Sequence, residues 1–303
     1  MLKNTTLQAV PMDKPSLITG QSFQLPEKLV QDLIDNALRE DFGRMGDITS
    51  QSVIPEDATA TVVMAARENG VIAGLKIAEQ TFKTLDRDLD ITLHIADGDT
   101  VTAGAELMTI SGNARAILMA ERVALNFAGR LSGVASKTAE MVKAAGDHKA
   151  TICSTRKTTP GLRMVEKYAV RMGGGMNHRL GLDDAVLIKD NHIAIAGGIV
   201  PALESARQNV GHMVKIEIEV DTLTQLEEVI ATGIADVVML DNMNCDDLRT
   251  AVNMIDGRML AEASGGVTLK TVADIAATGV DLISVGALTH SVTCLDIGLD
   301  FKA

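Results

Sequence analysis

From residue 150 onward the chain repeats one unit: a short β-type run, a polar tip, then a helix-forming stretch. The runs cover 150–154, 185–188, 213–220, 236–240, 258–263 and 281–285, and helical stretches fall at 164–171, 200–210, 223–232, 245–255 and 269–278. Thr232-Gly233 and Thr278-Gly279 close two of these helices as C-caps. Alternation at this spacing predicts an α/β fold with a parallel sheet and right-handed crossovers. Every run, rather than two at a switch point, ends in polar residues. That favours a closed or nearly closed barrel, with an open doubly wound sheet as the alternative.

The tips are Thr155-Arg156-Lys157, Lys189-Asp190-Asn191, Glu219, Asp241-Asn242, Glu262 with Ser264-Gly265-Gly266, and Gly286. Between the first two lies Gly173-Gly174-Gly175-Met176-Asn177-His178-Arg179, which reads as a mobile loop presenting His178 and Arg179. Residues 151–192 hold seven Lys/Arg against four acids, in a chain of 28 Lys+Arg and 40 Asp+Glu. Cations gathered inside an acidic protein point to an anionic ligand of several charges. Arginine pairs bidentately with carboxylates or phosphates. Glu219 and Asp241, on neighbouring strands, suit Mg²⁺ held with a phosphorylated substrate. Ser264-Gly265-Gly266-Val267, before the helix expected from 269, can offer backbone N–H groups to a phosphate.

Each tip also has a plainer reading. A lone Lys or Glu at a strand end is as readily a structural ion pair. Ser-Gly-Gly is a common turn, His192 reads better as a helix-start residue, Asp183-Asp184 as a cap on a strand entry, and Met164, Met172 and Met176 as packing. Glu217 and Glu219 alternate with Ile216 and Ile218, so one face of that strand carries two acids. In a barrel interior this is costly unless they are paired, which favours a functional role for Glu219.

Upstream, residues 1–24 are polar and aperiodic, a loose arm. Pro26 opens a helix bearing Leu29, Val30, Leu33, Ile34, Ala37 and Leu38 on one face. It closes in the turn from Glu40 to Ser50, read as a C-cap followed by an Asx or ST turn. Strands at 58–66, 71–73, 89–95 and 105–111 with a helix at 75–85 make a small α+β domain. A long helix at 114–145 follows, loosened at Gly129 and Gly133, with Arg122 in its middle.

Five Phe, one Tyr, no Trp and a pI near 4.9 argue against a nucleic-acid surface. Cys153, Cys245 and Cys294 match no metal or disulfide pattern, which fits a reducing cytoplasm. No signal-peptide core and no membrane-length apolar run is present, so no membrane association is expected.

The runs Thr155 to Arg163, Asn177 to Leu182, Ile188 to His192, Glu217 to Val220, Met239 to Asn242 and Glu262 to Gly266, with the Glu40–Ser50 stretch, resemble quinolinate phosphoribosyltransferase, the decarboxylating nicotinate-nucleotide pyrophosphorylase of NAD biosynthesis. The resemblance covers about residues 25–295 in order. It implies an N-terminal α/β sandwich domain at 25–124, joined by 292–303, and an incomplete TIM-like α/β barrel at 125–291. It implies transfer from 5-phosphoribosyl-1-pyrophosphate to quinolinate with Mg²⁺, and a homodimer or higher oligomer with shared sites. By motif, Arg122 (from the partner subunit), Arg156, His178 and Arg179 hold the quinolinate carboxylates. Lys157, Lys189, Glu219 and Asp241 engage the phosphoribosyl pyrophosphate and its metal. Ser264, Gly265, Gly266 and Gly286 line the 5-phosphate, Thr155 joins the substrate set, and Arg163 is a direct ligand or a support behind one. A nicotinate-specific phosphoribosyltransferase, a Schiff-base lyase using Lys189 or Lys157, and a non-catalytic anion-binding protein are the alternatives.

Overall fold

The computed structural model describes residues 25–302, and the arm expected at 1–24 lies outside them. In chain order, α1 (Glu27–Phe42) and α2 (Ile48–Val53) lead into β1 (Thr59–Ala66), β2 (Gly70–Val71), α3 (Leu75–Leu85), β3 (Asp90–Leu93), β4 (Thr100–Val101), β5 (Glu106–Asn113) and the long α4 (Ala114–Ala145). Then come β6 (Thr151–Cys153), α5 (Arg163–Met172), β7 (Val186–Ile188), α6 (Asp190–Ala196), α7 (Ile199–Asn209), β8 (Ile216–Val220), α8 (Leu223–Thr232) and β9 (Val237–Asp241). The last elements are α9 (Cys245–Ile255), β10 (Leu260–Ser264), α10 (Val272–Ala276), β11 (Leu282–Ser284), α11 (Ala287–His290) and β12 (Ile297–Phe301). These form two compact units.

One unit comprises Ala144–Cys153 and Gly181–Val285. Its sheet is parallel and six-stranded, in the order β6-β11-β10-β9-β8-β7. Strands β6 and β7 follow each other in sequence yet occupy opposite edges, so the sheet is that of an incomplete barrel. Register partners in a parallel sheet share a face. One face carries Ile188, Ile218, Val238, Leu240, Ala261, Ala263 and Ile283, all buried. Helices α7, α8 and α9 turn Leu203, Leu226, Val229, Leu248 and Ala251 inward, and full burial of each Leu or Val contributes ~2 kcal/mol. Local signals set these helices. Thr222 and Gln225 form a capping box on α8, Gly233 closes it in a left-handed conformation, and Asn244 caps α9. The opposite face of the sheet carries the polar side chains.

The other unit comprises residues 25–143, Ser154–Leu180 and 286–302. It holds an antiparallel sheet in the order β12-β1-β5-β3 and a short β2-β4 pair. Val62, Met64, Phe82, Leu107, Ile110, Ile117 and Ala120 form its centre and are wholly buried. The turn expected between Glu40 and Ser50 contains more than a turn. The Asp47 side chain accepts from Thr49 N and Ser50 N, each at 3.0 Å, and so caps the short α2. These hydrogen bonds, from Ser50 first, hold its carboxyl below the usual range.

Helix α4 runs unbroken through Gly129 and Gly133, contrary to the loosening expected there. The glycines serve close approach instead. A Cβ on Gly133 would lie 2.2 Å from the Thr293 carbonyl oxygen, and one on Gly129 3.0 Å from that of Leu295. Gly133→Ala is expected to cost about 1–3 kcal/mol through forced backbone movement, read as a lower urea midpoint at unchanged slope. An unchanged midpoint would mean that the 292–295 segment yields freely.

Among the described residues no helix is long and apolar enough to cross a membrane.

Candidate active site

The polar face of the parallel sheet is arranged in layers. Glu217 pairs in register with Leu187 and Val237; Glu219 pairs with Met239, which pairs with Glu262; Asp241 pairs with Ser264. Counting in twos along each strand puts Lys189, Glu217, Glu219, Asp241, Glu262, Ser264 and Ser284 on one face. The acids of the IEIEV strand therefore point where the alternation predicted. Glu219 and Glu262 on this face are also compensated, as the cost of burying carboxylates requires. Lys189 Nζ ion-pairs with Glu219 Oε2, and Ser284 Oγ donates to Glu262. Glu217 and Glu262 are buried, at 6% and 1% exposure. Lys189 and Glu219 keep partial access to solvent. Asp241 accepts from the Asn242 amide at 2.6 Å.

The Ser264-Gly265-Gly266 turn depends on glycine. Gly265 and Gly266 have φ +91° and +60°, and a Cβ on Gly265 would stand 2.1 Å from Asn242 Oδ1. The helix expected from 269 starts later, at Val272. The hydrogen bonds of Thr268 and Thr271 to each other form a separate turn first, so the glycines do not sit directly on a helix N-terminus. His192 matches its plainer reading: its Nδ1 accepts from Lys189 N at 2.9 Å at the start of α6. That helix was not anticipated.

The cationic groups Arg156, Lys157, Arg163, His178 and Arg179, with Thr155, belong to the other unit. The segment 155–159 is fixed on several sides. Lys157 N donates to Thr155 Oγ1 at 3.0 Å, and Lys157 O accepts from Thr289 Oγ1 at 2.8 Å. Gly286 lies against this lysine, since a Cβ there would meet Lys157 Cδ at 2.9 Å. Thr159 donates through N and Oγ1 to Glu166, whose carboxylate is wholly buried and also receives Arg130 at 2.7 Å. Arg163 donates to Thr158 Oγ1 at 3.1 Å and Leu180 O at 3.3 Å, which makes it a brace between two segments. Arg156 differs: its Nε is buried and makes no hydrogen bond among the described residues. A buried donor left so costs about 1–3 kcal/mol, which an anionic ligand can recover.

The glycine-rich segment 173–179, expected as a mobile loop, is tied down. A Cβ on Gly173 would lie 2.3 Å from Ala135 O. Asn177, His178 and Arg179 are each bonded to the neighbouring helix or strand exit. His178 Nδ1 accepts from Arg179 N at 2.7 Å. In the neutral ring that places the proton on Nε2, which becomes a donor.

Helix α5 is anchored at Tyr168, whose hydroxyl donates to Asp97 at 2.7 Å. Asp97 also accepts from Gly74 N and Leu75 N at the start of α3. Burial pushes the Asp97 carboxyl up, and burial together with that neighbouring charge pushes the Tyr168 phenol up. Arg122 lies exposed on α4 and lines a cleft of about 730 Å³ with Glu40, Asp41, Asn126 and Leu162. The residues that sequence reasoning passed over are Arg130, Ser154, Glu166 and Lys167. Their partners are distant in sequence, and nothing local marks them. Only the Asn of the Asn-His-Arg run gave a hint.

Two family descriptions match the chain: the C-terminal domain of quinolinate phosphoribosyl transferase at residues 134–300, and its N-terminal domain at 47–132. The chain belongs to the quinolinate phosphoribosyltransferase family. Among its relatives, a probable nicotinate-nucleotide pyrophosphorylase [carboxylating] of Bacillus subtilis is 48% identical, over 88% of this chain and 92% of that protein. The mitochondrial quinolinate phosphoribosyltransferase [decarboxylating] 2b of Nicotiana tabacum is 43% identical, over 98% and 87%. Among solved structures, the nicotinate-nucleotide pyrophosphorylase of Francisella tularensis superposes with a TM-score of 0.88 at 41% identity, over 92% of this chain and 98% of that one. Membership of the quinolinate phosphoribosyltransferase family agrees with the resemblance carried by the strand-end motifs.

Proposed function

We propose that this enzyme transfers the phosphoribosyl group of 5-phosphoribosyl-1-pyrophosphate to quinolinate with decarboxylation, giving nicotinate mononucleotide, pyrophosphate and CO₂ for NAD biosynthesis. The observation that carries the reading is the braced cationic segment with Arg156, whose buried Nε has no hydrogen-bond partner among the described residues. Arg156, Arg179 and the Nε2–H of His178 take the two carboxylates of the pyridine. Thr155 and Arg163 hold that segment in shape. Lys157, Lys189, Glu219 and Asp241 engage the phosphoribosyl pyrophosphate, and Ser264, Gly265, Gly266 and Gly286 receive its 5-phosphate.

At the anomeric carbon the C–O bond breaks and pyrophosphate leaves with the electron pair. Glu219 and Asp241 stabilise the positive charge that develops there. The ring nitrogen gives its lone pair to form the C–N bond. The resulting pyridinium withdraws electrons from the ring, so the bond to the 2-carboxylate breaks, CO₂ leaves, and the ring carbon takes a proton. No side-chain nucleophile is needed; the work is positioning and electrostatics. Glu219 and Asp241 are hard oxygen donors on one face of adjacent strands, a set that suits Mg²⁺. Bound there with the pyrophosphate, the ion would neutralise charge on the leaving group.

The active form is proposed as a homodimer in which the exposed Arg122 serves the partner's substrate, a state sedimentation would reveal. The cytoplasm suits the free thiols of Cys245 and Cys294. The test of function is incubation of purified protein with quinolinate, phosphoribosyl pyrophosphate and Mg²⁺. Equal amounts of CO₂ and nicotinate mononucleotide, dependent on all three, are expected. No product from quinolinate, with nicotinate consumed without CO₂ in a parallel incubation that replaces quinolinate by nicotinate, would replace the reading with the nicotinate-specific one.

A further inference from the structure

We infer that Lys167 is a positioning residue that sets the separation of the two cationic arms and so selects a dicarboxylate over a monocarboxylate. The proposal rests on the functional reading above and adds a control point to it. Lys167 is 1% exposed on α5. Its ammonium donates to three oxygens: Ser154 Oγ at 3.1 Å, His178 O at 2.7 Å and Arg179 O at 2.9 Å.

The contacts close into a ring. Ser154 Oγ bonds to Asn177 Oδ1 at 3.0 Å, and Asn177 Nδ2 donates to Lys167 O at 3.1 Å. Ser154 N also donates to Met176 O at 2.9 Å. One buried cation therefore joins the residue two positions before Arg156 to the carbonyls of His178 and Arg179. A charge this deeply buried would cost several kcal/mol without partners, so the two segments cannot drift apart cheaply. The arrangement is preorganisation: Arg156 on one side, and His178 with Arg179 on the other, are held at a fixed spacing before substrate arrives. A pyridine with two adjacent carboxylates needs both arms at once. A pyridine with one carboxylate needs only one of them.

The test uses full-length Lys167→Met and Ser154→Ala, compared with the parent by calorimetric titration. The probes are pyridine-2,3-dicarboxylate, pyridine-3-carboxylate, and phosphoribosyl pyrophosphate with Mg²⁺. For Lys167→Met the dicarboxylate Kd is expected to rise about 100-fold, the scale on which small misplacements act. The monocarboxylate and the phosphoribosyl pyrophosphate should move little. Ser154→Ala, which breaks the ring but keeps the ammonium, should shift the dicarboxylate Kd in the same direction by less. A merely structural role would lower the melting temperature or the active fraction and leave the ratio of the two pyridine Kd values unchanged. That result in folded Lys167→Met overturns the proposal. Should Lys167→Met not fold, an unchanged ratio in Ser154→Ala overturns it. Failure of the parent protein to bind the dicarboxylate would instead remove the functional reading on which the proposal stands.

Discussion

Arg156→Ala is expected to lower kcat/KM for quinolinate about 1000-fold, equivalent to about 4 kcal/mol of lost transition-state stabilisation. A charged hydrogen bond to a desolvated carboxylate is worth about 1.5–3 kcal/mol. Its loss also leaves a negative charge facing a site from which one cation is gone, so the effect exceeds that of one bond. The folded protein should not suffer. Arg156 Nε makes no hydrogen bond among the described residues, and removing an unsatisfied buried donor is neutral or slightly stabilising. Steady-state kinetics with quinolinate at saturating phosphoribosyl pyrophosphate, beside a thermal melt, separates the two effects. A loss below tenfold would show that Arg156 is not a carboxylate ligand.

Glu166→Ala should have the largest effect on stability, about 3–5 kcal/mol, the range for breaking one side of a buried ion pair. The carboxylate accepts from Arg130 at 2.7 and 3.1 Å and from Thr159 through both N and Oγ1. Without it, Arg130 is left beside the carbonyls of Thr289 and Val292, and the N–H and hydroxyl of Thr159 lose their acceptor. Arg130→Met combined with Glu166→Met should recover part of the loss, because removing both charges removes the unpaired one. Equilibrium urea unfolding of Arg130→Met, Glu166→Met and the double variant gives the coupling directly. A single-variant cost below about 1 kcal/mol would mean that solvent relieves the charge and that the cluster does little for stability. Since Thr159 ends the segment bearing Arg156 and Lys157, activity in Glu166→Ala should fall further than the unfolded fraction explains.

The parallel sheet was legible because its signals are local. The Ile-Glu-Ile-Glu-Val alternation and the Thr232-Gly233 stop each act within a few residues, and the elements at 223–232 and 245–255 match the structure throughout; the other helix stops at Ala276, before Thr278-Gly279. The strand-end residues Lys189, Glu219, Asp241 and Ser264 were legible for the same reason: parity along a strand decides the face. Short helices escaped notice. Helix α6 begins on a capping bond from Lys189 N to His192, and its seven residues are too few to show a period. Gly129 and Gly133 were misread because a glycine that admits a neighbouring chain looks, in sequence, like one that loosens a helix. The polar cluster of α5 was invisible. Glu166 and Lys167 are consecutive and both buried, which no amphipathic pattern predicts, and Arg130 stands 36 positions from Glu166.

The pairing of β12 with β1 has a consequence for how the chain is made. Val62 lies opposite Phe301, and Ala66 opposite Ile297, so β1 waits for a partner strand that is made only after the parallel sheet. During translation, β1 can pair with β5 soon after both emerge, but its other edge stays open while the whole parallel sheet is produced. An unpaired edge of this kind invites pairing with a neighbouring nascent chain. The last strand thus acts as a closure, sealing the first sheet only after the second has been synthesised.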